Sequence, residues 1–172
     1  MRKGRMIRIL LVDDDEDCRL LTKDALRHGK ILNEICEVGS AEEALDFIYH
    51  RGKHADSPKV GLIYLDIQMP GMSGQELLQI LRADDDLKDI PIVMMTNLRE
   101  DREKEAAARA GANSYTCKPA DPDEFVHTVV EATQYWIGIH ELSSRVIEES
   151  EPSGVTGIGA GHEARTDTPG RR

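Results

Sequence analysis

Apolar runs alternate along the chain with stretches of helical spacing, and most of the runs close on a polar residue. Met6 to Val12 is nearly continuous in apolar residues and bounded by charge, the pattern of a strand buried on both faces of a parallel sheet. A helix is expected from Glu16 to about Gly29, where Leu20, Leu21, Ala25 and Leu26 recur at helical spacing and Gly29 supplies a stop. Ile35 to Val38 predicts a second strand. Ser40, with Glu43 three residues on, predicts a capping box for a helix through Ala44, Leu45, Phe47 and Ile48. The polar segment Arg51 to Lys59, with Gly52 and Pro58, reads as a surface loop before a third strand at Val60 to Leu65. After a turn with Pro70, Gly71 and Gly74, the residues Leu77, Leu78, Ile80 and Leu81 predict a third helix that ends before Asp84-Asp85-Asp86. Pro91 to Met95 predicts a fourth strand, Arg99 to Ala110 a helix closed by Gly111, and Ser114 to Cys117 a fifth strand. Asp121, Pro122 and Glu124 supply an N-cap, a first-turn proline and a capping acid for a last helix with Phe125, Val129, Ala132 and Trp136 on its apolar face.

Strand and helix thus alternate from about residue 6 to residue 140, with five of each. That order predicts an α/β fold, a doubly wound five-stranded parallel sheet with helices on both faces. One domain is expected over residues 1–147, its core at about 6–140 and its last helix extended. From residue 148 to 172 there are five glycines, and Val155 and Ile158 are the only large apolar groups, so a disordered tail is expected there. So short a tail is too small for a second functional domain, and output is expected to run through protein contacts.

Composition narrows the class. The 172 residues suit one domain, and 40% hydrophobic with 31% charged residues is globular composition. Aromatics at 4% leave the core to Leu, Ile, Val, Met and Ala. A net charge of -10 opposes a nucleic-acid face, which needs clustered Lys and Arg. Cys18, Cys36 and Cys117 are odd in number and set among apolar residues, which reads as buried thiols in a reducing compartment. Met1 to Arg5 is basic, but the apolar run after it leads into acids without a cleavage site, so a strand is expected and not a signal peptide. No run is long enough to span a bilayer, and a cytoplasmic protein is expected.

Ligands in open parallel sheets sit outside the carboxyl ends of the strands, near the point where strand order reverses. There the first strand runs into Asp13 and Asp14, the third into Asp66, the fourth into Thr96 and the fifth into Lys118. If the first and third strands are neighbours, three carboxylates converge. Two like charges about 4 Å apart repel by about 4 kcal/mol at an effective dielectric near 20, so the set must shift its pKa values or bind a cation. All-oxygen ligation favours Mg²⁺. An aspartate can attack phosphorus to give an aspartyl phosphate, and Asp66 is the candidate, with the metal, the Lys118 ammonium and the Thr96 hydroxyl to neutralise the phosphoryl oxygens.

Val12-Asp13-Asp14, Leu65-Asp66 with Met69-Pro70-Gly71 and Gly74, Met95-Thr96, and Cys117-Lys118-Pro119 together resemble the response-regulator receiver family, over about 135 residues. The resemblance implies the flavodoxin-like fold with strand order 2-1-3-4-5. It also implies a signalling role, not a turnover enzyme: a stand-alone two-component response regulator that takes a phosphoryl group from a sensor histidine kinase. Asp66 would be the phosphoacceptor. Asp14, Asp66 and the backbone carbonyl of Gln68 would bind Mg²⁺ directly, Asp13 mainly through water, and Lys118 would pair with the phosphoryl group. Thr96 and Tyr115 would switch, and the Lys118-Pro119 bond would be cis. The long last helix, Trp136-Ile137 and the loop Arg51 to Lys59 are similar to single-domain regulators partnered with bacterial phytochrome kinases.

Other readings have to be weighed against this one. An aspartyl-nucleophile phosphatase is expected to carry a second Asp two residues after its nucleophile, where this chain has Gln68. A phosphorylation-independent interaction module would not need Asp13, Asp14, Asp66, Thr96 and Lys118 together. Asp15, Glu16 and Asp17 suit helix capping and solvation, His50 and His54 are expected at the surface, Asp84 to Asp86 in a helix-end loop, and Met94-Met95 in the core. Tyr135, Trp136, Ile137 and Ile139 exceed the apolar surface one sheet face needs, which predicts a homodimer through the last helix.

Overall fold

The apolar runs build one parallel sheet with β1 at Ile9–Val12, β2 at Ile35–Val38, β3 at Leu62–Asp66, β4 at Ile92–Thr96 and β5 at Ser114–Cys117. The strand order is β2-β1-β3-β4-β5, so the direction of winding reverses between β1 and β3. The computed structural model describes residues 6–96, 108–118 and 121–150, with backbone alone at 115, 117 and 140–150. Its helices among these are α1 (Glu16–His28), α2 (Ala41–Ile48), α3 (Gly74–Ala83) and α4 (Pro122–Ser150), with a 3₁₀ turn at Gly52–His54. The helix expected over 99–110 lies almost wholly outside the described residues, as do the Lys118-Pro119 bond and residues 151–172.

Alternation along each strand sorts the core into two layers. Leu10, Val12, Ile63, Leu65, Ile92 and Met94 face α2 and α3, meeting Ala44, Phe47, Leu77, Leu78 and Leu81. Ile9, Leu11, Leu62, Tyr64, Val93 and Met95 face α1 and α4, meeting Ala25, Leu26, Phe125 and Val129. The Met94-Met95 pair is core, as expected. Both ends of β1 are held in register, with Ile9 opposite Ile35 and Leu62, and Val12 opposite Val38 and Leu65. Since both partners begin only at those positions, Met6 to Arg8 have no strand to pair with, and β1 is shorter than its apolar run suggests.

Several local expectations change. Leu20 and Leu21 do not face the core and are 50% and 41% exposed. The inward stripe of α1 is Thr22, Ala25 and Leu26, because the helix is rotated to pack Gly29 against Val130 of α4. Ser40 does accept the Glu43 N–H at 3.1 Å, but the Glu43 carboxylate turns to the Gly39 N–H at 3.1 Å instead of closing a box. The reciprocal capping box forms at Ser73 and Glu76, heading α3. Glu43 also meets Lys53 at 2.6 Å and His54 at 3.1 Å. The Lys53 hydrogen bond and the Gly39 amide lead in lowering the Glu43 carboxyl to about 2. His54 is therefore half-buried beside Phe47, whereas His50 is exposed as expected. Cys18 and Cys36 are half-buried and unpaired, not fully buried, and burial raises both thiols, Cys18 to about 11.

On the opposite face the Tyr64 hydroxyl reaches α4, donating to the Val129 carbonyl at 3.1 Å and lying 2.7 Å from the Thr133 hydroxyl. Central strand and last helix are thus joined by a buried polar contact that no local pattern in the sequence marks.

Candidate functional site

The acidic run after β1 divides into two jobs. Asp15 is the N-cap of α1, accepting the N–H groups of Asp17 at 2.9 Å and Cys18 at 3.3 Å. Asp13 and Asp14 remain for the carboxyl edge of the sheet, where Asp13 is 8% exposed and Asp14 is exposed. Asp66 ends β3 next door and is also 8% exposed. One carboxylate oxygen from each of Asp13, Asp14 and Asp66 lies within 4.8 Å of the others. The convergence expected from the strand ends is therefore present.

Lys118 follows β5 and its side chain is only 8% exposed. Its backbone N–H donates to the Thr96 carbonyl at 2.7 Å, which brings the ends of β4 and β5 together. The ammonium donates to Asp13 Oδ2 at 2.5 Å and lies 3.6 Å from Asp66 Oδ1. Thr96 is 1% exposed at the end of β4. The Gln68 backbone N–H is hydrogen-bonded to the Asp66 carboxylate, so the loop after β3 folds back over the acceptor. Tyr115 pairs with Met94 across the β4–β5 ladder, and its side chain lies outside the described residues.

Charge and burial compete in this pocket. Burial is the largest influence on Asp66 and raises its carboxyl; Lys118 pulls it down, and the charges of Asp13 and Asp14 raise it again, leaving it at about 6. For Lys118, burial alone would lower the ammonium, but the Asp13 hydrogen bond and the charges of Asp13 and Asp66 outweigh it and its pKa is raised. Among the described residues, the Lys118 ammonium thus stands against the carboxylates of Asp13, Asp14 and Asp66. The donor set suits a hard divalent ion: all three donors are carboxylate oxygens, and the exposed Asp14 leaves a path from solvent.

The supporting shell includes residues with no mark in the sequence. Glu42, from the first turn of α2, accepts the Met72 N–H at 2.9 Å and so braces the loop after β3. Arg19 donates to the Asp13 carbonyl at 2.6 Å. Gly74, read from sequence as a turn residue, has a sharper role. A Cβ there would stand 2.0 Å from the Asp66 carbonyl oxygen, so α3 can start against the acceptor's own backbone only without a side chain.

A doubly wound sheet whose carboxyl edge gathers three acids, a buried lysine and a buried threonine defines a receiver-type signalling domain. Residues 9–130 match the response regulator receiver domain, and the chain belongs to that family. It is 27% identical over 129 residues to the response regulator Rcp1 of Synechocystis sp., covering 75% of this chain and 88% of that protein. The crystal structure of the phosphorylated cyanobacterial phytochrome response regulator RcpA superposes with a TM-score of 0.71 at 25% identity, over 76% of this chain and 94% of that one. The Mn²⁺-bound form of Rcp1 gives 0.71 at 27% identity, with the same coverage. The flavodoxin-like fold and the signalling role follow from this membership. Among the described residues no helix is long and apolar enough to cross a membrane.

Proposed function

We propose that this protein is a two-component response regulator in which Asp66 accepts a phosphoryl group from a sensor histidine kinase. The observation that carries the reading is the meeting of the Asp13, Asp14 and Asp66 oxygens within 4.8 Å beside the buried Lys118 ammonium. Asp66 attacks phosphorus through a carboxylate oxygen; the new O–P bond forms as the donor's P–N bond breaks, and the departing imidazole takes up a proton from solvent. Lys118, released from Asp13 or bridging from it, meets the phosphoryl oxygens. The Thr96 hydroxyl, buried at the next strand end, would bind another and switch together with Tyr115. Asp14, Asp66 and the Gln68 carbonyl would hold Mg²⁺, with Asp13 acting through water. Bound there, the ion supplies positive charge to the attacking carboxylate and the transferring group. Intact-mass spectrometry after treatment with acetyl phosphate and Mg²⁺ tests this, since absence of one added phosphate, with plausible kinases also failing, would favour a phosphorylation-independent interaction module.

Because burial pushes the Asp66 carboxyl up to about 6, protons compete with the metal there. Mg²⁺ affinity is expected to rise as pH climbs from about 5 to 7 and then level off. Calorimetric titrations across that range check it, and a flat profile would mean either that Asp66 is not a ligand or that its carboxyl is already ionised by about pH 5.

The names of its relatives make a bacterial phytochrome the first kinase to try, and a cytoplasmic setting is proposed, which the free, half-buried thiols of Cys18 and Cys36 suit. The receiver unit is proposed to span 1–147. Dimerisation through α4 is supported by Tyr135 at 61% and Ile139 at 36% exposure beyond the seated residues Phe125, Val129 and Thr133. Light scattering is expected to show a dimer that Tyr135→Glu with Ile139→Glu converts to monomer. A wild-type monomer at every concentration, with or without a phosphoryl mimic, would remove the idea.

A further inference from the structure

We infer that Arg19 is a positioning residue for the cation site, setting the backbone from which Asp13 and Asp14 project; this rests on the receiver reading above. The turn that carries the two acids leaves the sheet with little to hold it. The Asp13 N–H makes a long contact of 3.3 Å to the Val38 carbonyl, and across from it the Gly39 N–H is already taken by Glu43. The Asp13 carbonyl instead accepts Nη1 of Arg19 at 2.6 Å, a charge-assisted bond from the second turn of α1 back to the end of β1.

That contact is built into the fold. The guanidinium lies over Gly39, with Nη1 3.7 Å from where a Cβ would stand. Its Nε is buried and has no hydrogen-bond partner among the described residues.

The consequence falls on Asp14. The Asp13 carboxylate is fixed at both oxygens, by the Asp15 N–H at 2.9 Å and by Lys118. No hydrogen bond holds the Asp14 carboxylate among the described residues, so its direction depends on the peptide that joins it to Asp13. The carbonyl of that peptide is the atom Arg19 grips. Loosening it leaves the chemistry of Asp66 intact and widens the range over which a metal-binding carboxylate is found.

Arg19→Met is expected to weaken Mg²⁺ binding about tenfold by isothermal titration, while the rate of phosphate uptake from acetyl phosphate recovers at saturating Mg²⁺. Arg19→Lys, which keeps the charge but not the planar fork, is expected to fall between Arg19→Met and wild type. An affinity within twofold of wild type in Arg19→Met overturns the inference. So does an uptake defect that saturating Mg²⁺ does not restore, because that marks a general structural role. Should Arg19→Met fail to fold, wild-type affinity in Arg19→Lys overturns it instead. Wild-type protein that binds no Mg²⁺ would sink the receiver reading itself, a distinguishable result.

Discussion

Asp66→Asn is expected to take up no phosphate from acetyl phosphate and Mg²⁺, and yet, free of metal, to be more stable than wild type. Loss of uptake follows because Asn has no carboxylate to attack phosphorus. The gain in stability follows from the pocket's charge. Asp66 has its carboxyl raised from 3.8 to about 6, so the folded state holds that proton more tightly than the unfolded chain does. Stability contributed by the protonated group is complete below about pH 4 and is lost as pH rises through 6. At pH 7.5 the ionised acid therefore costs about 2 to 3 kcal/mol, which the amide removes. Urea unfolding in EDTA should show variant and wild type alike near pH 4 and apart at pH 7.5, with Mg²⁺ narrowing the gap. Phosphate found on the variant would move the acceptor to another residue, and a variant less stable at pH 7.5 would contradict the electrostatic account.

Gly74→Ala is the second large effect expected. The added methyl would stand 2.0 Å from the Asp66 carbonyl oxygen, 2.9 Å from its carbon and 3.0 Å from the Ile67 Cα, all backbone atoms at or just past the end of the acceptor strand. Neither the start of α3 nor the end of β3 can yield without disturbing the 3.0 Å bond from the Gly74 N–H to the Ile67 carbonyl. A cost of about 3 kcal/mol is expected, with slower phosphate uptake because the strain falls on the peptide that carries the nucleophile. The same exchange at Gly138, in α4 with nothing within 4 Å among the described residues, should stabilise the single chain by about 0.5 to 1 kcal/mol through helix propensity. Parallel urea titrations of the two variants separate the clash from the general effect of replacing glycine. Similar midpoints would mean that the approach at Gly74 relaxes freely.

Much of the fold was legible because a strand buried on both faces must be apolar along its length, as β1, β3 and β4 nearly are, and the edge strands β2 and β5 also fall where predicted. The site was legible for a related reason. Asp13, Asp66 and Thr96 interrupt or end those runs with groups that are costly to bury, and such groups are tolerated there for their chemistry. Helix faces were less legible. Leu20 and Leu21 read as core because they are apolar, yet the seat of α1 against α4 turns Thr22, Ala25 and Leu26 inward. Glu43 read as the closing member of a capping box, but Lys53 and His54 compete for its carboxylate once the 3₁₀ turn brings them near.

By itself the sequence determined the alternation of elements, the two-sided burial of β1, β3 and β4 and the residue types at the strands' carboxyl ends, because period and polarity are properties of neighbours along the chain. Only the tertiary structure decided which groups meet. Lys118 reaches Asp13 across 105 positions, Tyr64 reaches Thr133 across 69, and Glu42 reaches the Met72 amide across 30. Such contacts depend on strand order and on the rotation of each helix about its axis, which are set by packing over the whole core and leave no local trace.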